Sequence, residues 1–535
     1  MMSDTSPPAQ QRGFLAKFER WGNKLPDPAM IFVWLILVLV LLSVLGSAQG
    51  WYASLSYRGT EAPHWGELKD GVLTYRATSL LTEENVTRLF VEMPKTFTGF
   101  APLGLILTIM LGASVAERTG MFSALIRAAM RGASKAVLTP IVALIGILSH
   151  YASDAAYVVF IPLAAIVFAA AGRHPLAGLA AAFAAVSGGL AANVTPGQLD
   201  VLLLGFTQEA ARIVEPGWTM NPLGNWWFTL SATVVFVPLI WFLTDRVIEP
   251  RLGAWNDAAR ARAEPMDAEP ELGPAERRGI RRAGLAALLV VLLIVALATV
   301  PGYSPLVDES KSGTAALQPL FGSLVPAFAL LFLLSGYAYG KATGSINNAS
   351  DVIAMMREGI VSLAPYVVFV FFAAHFVAMF NWSRLGPIFA IDGARAVESL
   401  GLPAPFLLLA VQMMSSFLDL FIGSASAKWS AMAPVVVPMF MLLGISPEMT
   451  TAAYRMGDSY TNIMTPLMSY FPLVLGFARR WDKSFGVGSL LALMLPYALT
   501  FMAIGVVMVV SWVTFELPPG PGAQVHYALP TGGIK

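Results

Sequence analysis

The chain has 535 residues, 56% of them hydrophobic and 13% charged. Soluble domains are about 45–50% apolar and about 25% charged, so with a mean hydropathy of +0.66 the solvent for most of this surface is lipid. A formal net charge of +1 gives no basic field for nucleic acid, and the absence of cysteine excludes disulfides, thiolate nucleophiles and Cys-ligated metals.

Residues 1–28 are polar and contain prolines, with no short apolar core leading to a small-residue cleavage site, so a cytoplasmic N-terminal tail is expected and the first span is retained. Apolar runs of roughly 20 residues, enough to cross about 30 Å of hydrocarbon, then lie near 29–48, 98–116, 175–205, 226–243, 284–301, 319–340, 359–380, 453–478 and 487–513. The fold class expected is an all-α polytopic membrane protein with about nine transmembrane helices. Segment 50–95 reads as a long outward loop. Blocks 136–172 and 404–445 are too long for one span, and each has a polar, small-residue break, at Ser149 to Asp154 and at Ser415 to Ser426. Both are expected to be re-entrant helical hairpins, whose tips must face protein or a wet path because lipid cannot satisfy bare backbone.

Charge orients the set. Arg118, Arg127, Arg131 and Lys135, the stretch from Arg246 to Arg282, and Arg479, Arg480 and Lys483 mark cytoplasmic loops, which puts the N-terminus inside and the C-terminus outside. The organisation expected is a first half over 29–244, a cytoplasmic linker over 245–283, a second half over 284–513, and a periplasmic tail over 514–535.

The halves repeat. ASDAAYVVFIPL (152–163) followed by GGLAANVTP (188–196) corresponds to SASAKWSAMAP (424–434) followed by GDSYTNIMTP (457–466). Each half writes a hairpin with a polar tip and then a span interrupted by Gly, Asn and Thr-Pro. The two hairpins start from opposite sides, so the repeat is inverted. Interrupted spans at corresponding positions of inverted halves mark a secondary transporter with its site at the midplane.

The stripe Arg455, Asp458 and Asn462, spaced i, i+3 and i+7, shares one helix face and ends near Pro466. A charge at the bilayer centre costs about 2.5–3.5 kcal/mol on insertion scales, so this face needs a bundle interior or a wet cavity. Pro196 and Pro466 interrupt the helical ladder and free carbonyls for a small cation. Asn193, Asn462, Thr195, Thr465 and Ser426 add neutral oxygens of the kind hard cations prefer. Asp458 supplies a negative charge, and Arg455 is a fork for an anionic substrate group.

Other readings stand beside these. Arg455 and Asp458 can pair with each other as a structural bridge, and Asp154 can cap the helix that follows it. Asp419 is a cation ligand, a proton carrier or a partner of Lys428. Trp429 is an interfacial anchor or a stacking platform for an aromatic substrate. His150 and His375 read as satisfied core residues, and with no HExxH pattern a metalloprotease has no support. Ser153 with Asp154 or His150 is the only weak nucleophile and base, so no enzyme is expected. Polar residues confined to two blocks argue against a continuous channel.

SASAKWSAMAP, Pro447 and AAYRMGDSYTNIMTPLMSYFP (452–472), with ASDAAYVVFIPL in the first half, resemble the AbgT family of p-aminobenzoyl-glutamate transporters, and the similarity runs from ERWGNKLPDP (19–28) to the last span. The resemblance implies a homodimeric inner-membrane protein with two hairpins per subunit, driven by a cation gradient. It implies that Asp154, Ser426, Trp429, Pro447, Arg455, Asp458 and Pro466 line the path. Asp458 would help hold sodium, and Arg455 and Trp429 would meet the anionic aromatic substrate. The family pattern often has Asn at the position of Asp419, so the carboxylate here bears on whether the coupling ion is sodium or a proton. The resemblance leaves direction open, between import of p-aminobenzoyl-glutamate and proton-driven export of sulfonamide antimetabolites.

Overall fold

Residues 28–57, 66–130, 134–149, 156–255 and 272–528 are described in the computed structural model. Their elements, in order, are α1 (Pro28–Gln49), β1 (Tyr52–Ser56), β2 (Glu67–Lys69), β3 (Val72–Arg76), α2 (Glu83–Val91), α3 (Met93–Thr98), α4 (Ala101–Arg118), α5 (Met121–Met130), α6 (Leu138–Leu148), α7 (Ala156–Ala170) and α8 (Pro175–Ala191). There follow α9 (Gln198–Ala211), α10 (Trp226–Leu252), α11 (Pro274–Thr299), α12 (Gly313–Thr343), α13 (Ala349–Ser362), α14 (Ala364–Trp382) and α15 (Leu385–Glu398). The chain closes with α16 (Ala404–Asp419), α17 (Ala425–Leu442), α18 (Pro447–Thr461), α19 (Phe471–Trp481) and α20 (Val487–Thr514). His150, Ser153 and Asp154 at the first hairpin tip, Arg131, residues 256–271 of the linker, and most of the N-terminal tail lie outside the described residues.

The protein is a multi-pass helical membrane protein. Among the described residues eight helices are long and apolar enough to cross a bilayer: α1, α4, α10, α11, α12, α14, α17 and α20. Seven of them coincide with predicted spans, and the eighth, α17, is the second arm of the second predicted hairpin. The two remaining predicted spans are interrupted. The first is α8 and α9, separated at residues 192–197; the second is α18 and α19, separated at residues 462–470. The second begins at Pro447, six residues before the apolar run, because Ser446 accepts a hydrogen bond from the Met449 N–H and Pro447 sits in the first turn.

One part of the loop over 50–95 is not loop. Strands β1, β3 and β2 form an antiparallel sheet in that order, with Leu55 opposite Leu73. Ala53, Leu55, Leu73 and Tyr75 are buried, following the two-residue alternation of a half-buried strand. Arg395 of α15 donates to the carbonyl of Ser54, which ties the sheet to the helices.

Two apolar cores organise the helices. Helices α4, α5, α11 and α12 enclose the smaller one, where α4 and α12 touch so closely that a Cβ on Gly112 would stand 1.9 Å from the Ala329 carbonyl oxygen. Small residues permit such backbone approach between membrane helices. Helix α11 leaves Leu285, Leu288, Leu289 and Leu292 exposed, a surface suited to lipid. The larger core holds both hairpins and both interrupted spans.

Within that larger core the packing is reciprocal. Helix α8 lies against α6 and α7 of its own hairpin, and α18 lies against α16 and α17 of its own. The outgoing segment α9 crosses to pack on α17, while α19 crosses to pack on α7 and α8. Each interrupted span thus begins on its own hairpin and ends on the other half's second arm.

Two clasps hold the ends of this core. Residues 519–527 fold back over the start of α18, where Ser446 N–H donates to the Val525 carbonyl (2.9 Å), Asn221 donates to that of Pro521 (2.6 Å), and Tyr527 donates its hydroxyl to Glu215 (2.5 Å). At the other clasp the Arg173 guanidinium bonds Asp245 and Glu249 of α10 at 2.5 Å each, and Thr139 of α6 at 2.8 Å. His174 in the same turn packs edge-on against Trp255, and its Nδ1 is buried without a partner.

Burial pushes the His174 imidazole below its ordinary value, while Glu249 and Asp482 pull it upward. A base whose folded value is depressed disfavours folding once protons bind: its contribution to stability is complete above about 6.5 and is lost as pH falls below that. The melting temperature in detergent should drop between about pH 7.5 and about pH 5.5, and the drop should be smaller in His174→Gln. Equal drops in both proteins would remove His174 from the acid sensitivity.

Candidate functional site

The two interruptions meet. Helix α18 presents Arg455 and Ser459, and Asn462 caps its end, on one side, and the first break offers the backbone left bare where α8 tightens at Gly188–Ala191 and stops. Arg455 Nη2 donates to the Leu190 carbonyl at 2.9 Å, Ser459 donates to that of Gly188, and Asn462 donates to the Ser187 hydroxyl at 2.9 Å. Side chains of the second half thereby satisfy carbonyls freed in the first. Without them those groups would cost about 1–3 kcal/mol each.

Arg455 and Asp458 do not pair with each other. The other arm of the guanidinium, Nη1, bonds Asp200 of α9, whose second oxygen accepts from Gly197 N–H at 2.6 Å and from the Asn193 amide at 3.1 Å. Asp200 thus caps α9 and holds Arg455 at once. Asn193 is buried, with its carbonyl oxygen Oδ1 unpartnered, and Trp226 donates to the neighbouring Val194 carbonyl at 2.7 Å.

Asp458 turns instead toward the second hairpin. Its Oδ1 and that of Asp419, the last residue of α16, both accept from the ammonium of Lys428 in α17, the Asp419 contact measuring 2.5 Å. The side chains of Lys428 and Asp419 are 0% exposed and that of Asp458 is 3% exposed. Three elements are therefore joined by one buried cation between two carboxylates. Asp419 Oδ2 makes no hydrogen bond.

Trp429 follows Lys428 in α17 and is fully buried, 0% exposed. Its indole N–H donates to Thr207 of α9 at 2.8 Å, and its ring stacks on Tyr454 at 4.3 Å between centroids. In this conformation both attachments belong to the protein. Ser426 lies at the half-buried start of α17, 3.2 Å from the Ser424 hydroxyl that caps that helix. Pro447 starts α18, and Pro466 lies in the second break. His375 contacts the Phe371 carbonyl through Nδ1 at 2.6 Å, one turn back on its own helix.

Asp200, Arg455, Thr451, Asn221 and Asn225 line a small cavity between the halves. Its free volume is about 20 Å³, room for about one water. The arrangement therefore has charged groups of the two halves, Asp200 and Arg455, converging on a narrow point. Sequence reasoning singled out Arg455, Asp458, Asp419 and the two asparagines, and the structure brings all of them to this region; it passed over Asp200. The signal was present, since Asp200 is the only carboxylate in the predicted span 175–205, and the cost of an intramembrane charge applies to it as to Arg455.

A profile of the AbgT transporter family matches residues 13–527. The chain belongs to the AbgT family. It is 36% identical over 523 residues to the p-aminobenzoyl-glutamate transport protein of Escherichia coli K12, covering 98% of this chain and 99% of that one. Two solved AbgT-family folds are similar. The Alcanivorax borkumensis YdaH transporter, described as having an unusual topology, is 42% identical with a TM-score of 0.83, covering 93% of this chain and 100% of that one. The Neisseria gonorrhoeae MtrF protein, described within a class of antimetabolite efflux pumps, is 38% identical with a TM-score of 0.86, covering 96% of this chain and 100% of that one. This AbgT protein is therefore a membrane transporter, and its relatives are named as transporters.

Proposed function

We propose that the protein is a sodium-coupled secondary transporter that carries p-aminobenzoyl-glutamate, or a related aminobenzoyl anion, across the inner membrane by alternating access. The observation that supports this reading most directly is how narrow the cavity at Arg455 and Asp200 is. With a free volume of about 20 Å³, it passes no aminobenzoate unless the halves separate, which is the behaviour of a carrier and not of a channel. The name of the Escherichia coli relative supplies the substrate class.

In this reading Arg455 receives a substrate carboxylate when it leaves Asp200, and Trp429 with Tyr454 offers a ring surface to the aminobenzoyl group. Ser426, Asp154, Pro447 and Pro466 shape the path. Asp458, Asp419, Asn193 and Asn462 serve the coupling cation, all with hard oxygen ligands. The N-terminus is cytoplasmic, the C-terminus is periplasmic, and the working unit is a homodimer.

The test is uptake of radiolabelled p-aminobenzoyl-glutamate into proteoliposomes, with an inward sodium gradient and then with potassium replacing it. Accumulation that requires sodium is expected. Failure under both ions, with protein folded and inserted in both orientations, would overturn import. The likeness to MtrF, at a TM-score of 0.86, favours a second reading, proton-driven export of sulfonamides, tested in the same vesicles with a pH gradient.

A further inference from the structure

Two buried carboxylates sharing one ammonium form a construction with a price that dictates how it can change. Asp419 and Asp458 bring two carboxyl groups to one amine, that of Lys428, and none of the three side chains is more than 3% exposed. Removing one partner of such a group strands charge in a poorly polarisable interior, so the two carboxylates need a cation beside them at every stage of a transport cycle. Lys428 meets that need through Oδ1 of each acid, and the remaining oxygen of Asp419 is buried and unbonded. The donor set of hard carboxylate oxygens suits a small monovalent cation as well as an ammonium.

We infer that Lys428 is an internal cation that exchanges with the coupling ion: sodium entering between Asp419 and Asp458 displaces the ammonium, and the released ammonium binds a carboxylate of the substrate. This rests on the sodium-coupled reading given above. The side chain has a place to turn. Its Nζ already stands 5.8 Å from the centre of the Tyr454 ring, the same ring that stacks on Trp429, and a cation is attracted to an aromatic face at that range. Arg455 lies one residue beyond Tyr454. A dianionic glutamate tail would then find two cations, the Arg455 fork and the Lys428 ammonium, but the second becomes available only after sodium has taken its place. Ion and anion are thereby linked without direct contact, and Lys428 decides the preference for two carboxylates over one.

The exchange is tested by binding to purified protein in detergent, read as thermal stabilisation by sodium against potassium and then by p-aminobenzoyl-glutamate against its one-carboxylate analogue p-aminobenzoyl-alanine. In wild type, sodium should tighten the dicarboxylate more than the monocarboxylate. Lys428→Met removes the competing ammonium at similar length. It should bind sodium at least about tenfold more tightly and lose the preference for the dicarboxylate by about the same factor. Should Lys428→Met fail to fold with two carboxylates exposed to each other, Lys428→Met with Asp419→Asn lowers the buried charge; it should bind sodium at least as well as wild type and still lose the dicarboxylate preference. Unchanged or weaker sodium binding in a folded Lys428→Met protein, or a retained dicarboxylate preference in either variant, would overturn the exchange while a wild-type sodium response left the transport reading standing. No sodium response in wild type or variant would overturn both.

Discussion

Lysine in place of Arg455 is expected to cut transport at least tenfold although the charge is kept. The two ends of the guanidinium point to opposite sides of the first break, Nη1 to Asp200 of α9 and Nη2 to the Leu190 carbonyl of α8. An ammonium gathers its donors on one nitrogen and does not span two acceptors set at opposite ends of a guanidinium, whereas the planar fork reaches both. An unsatisfied buried acceptor costs about 1–3 kcal/mol, and each 1.4 kcal/mol is about a factor of ten. The residue is 3% exposed, so water does not make up the loss. Uptake per folded protein, with folding judged by size-exclusion in detergent, is the measurement. Wild-type uptake in Arg455→Lys would show that the fork is structural only.

Alanine at Gly457 is expected to act on folding itself. A Cβ there would stand 2.1 Å from the Gln412 carbonyl oxygen and 2.9 Å from the Ser415 Cβ, so α16 and α18 must part. They are held at this distance by Ser415 donating to the Tyr454 carbonyl and Ser416 donating to that of Gly457, both at 3.0 Å. Overpacking costs about 1–3 kcal/mol where side chains can adjust, and here the obstacle is backbone. Gly457→Ala should lower the melting temperature in detergent and abolish uptake, while Gly476→Ala, whose Cβ would meet nothing within 4 Å, should do neither. Equal melting temperatures for Gly457→Ala and wild type would show that the helices can separate freely.

What the sequence makes legible here is set by range. Spans announce themselves because an apolar run of the right length has few other uses, and both interruptions announce themselves because Gly, Asn and Thr-Pro stop a helix locally. The stripe from Arg455 to Asn462 is likewise a matter of helical period. Partnership is different. Arg455 lies 255 residues from Asp200, and no local rule prefers Asp200 to Asp458 three residues away. Lys428 was visible as a companion of Asp419, but its sharing with Asp458 depends on how α16, α17 and α18 converge. Trp429 could be read as an accessible platform because exposure is not written in a residue's type; an indole N–H needs an acceptor when buried, and Thr207, 222 residues away, is that acceptor. The small sheet was missed because its strands have three to five residues, too few for alternation to stand out from a polar loop.

The mutual satisfaction of the two breaks also constrains how the chain is made. The Gly188 carbonyl waits for Ser459, 271 residues later, and the Leu190 carbonyl waits for Arg455, 265 residues later. At about 5–20 residues per second of synthesis, the first half exists for roughly 15–50 s before its partner emerges. During that interval its bare carbonyls cannot face hydrocarbon, so α8 and α9 must be kept wet, or kept within the insertion machinery, until α18 arrives. Insertion of the early helices and completion of the early helices are therefore separate events, and the second is timed by the ribosome.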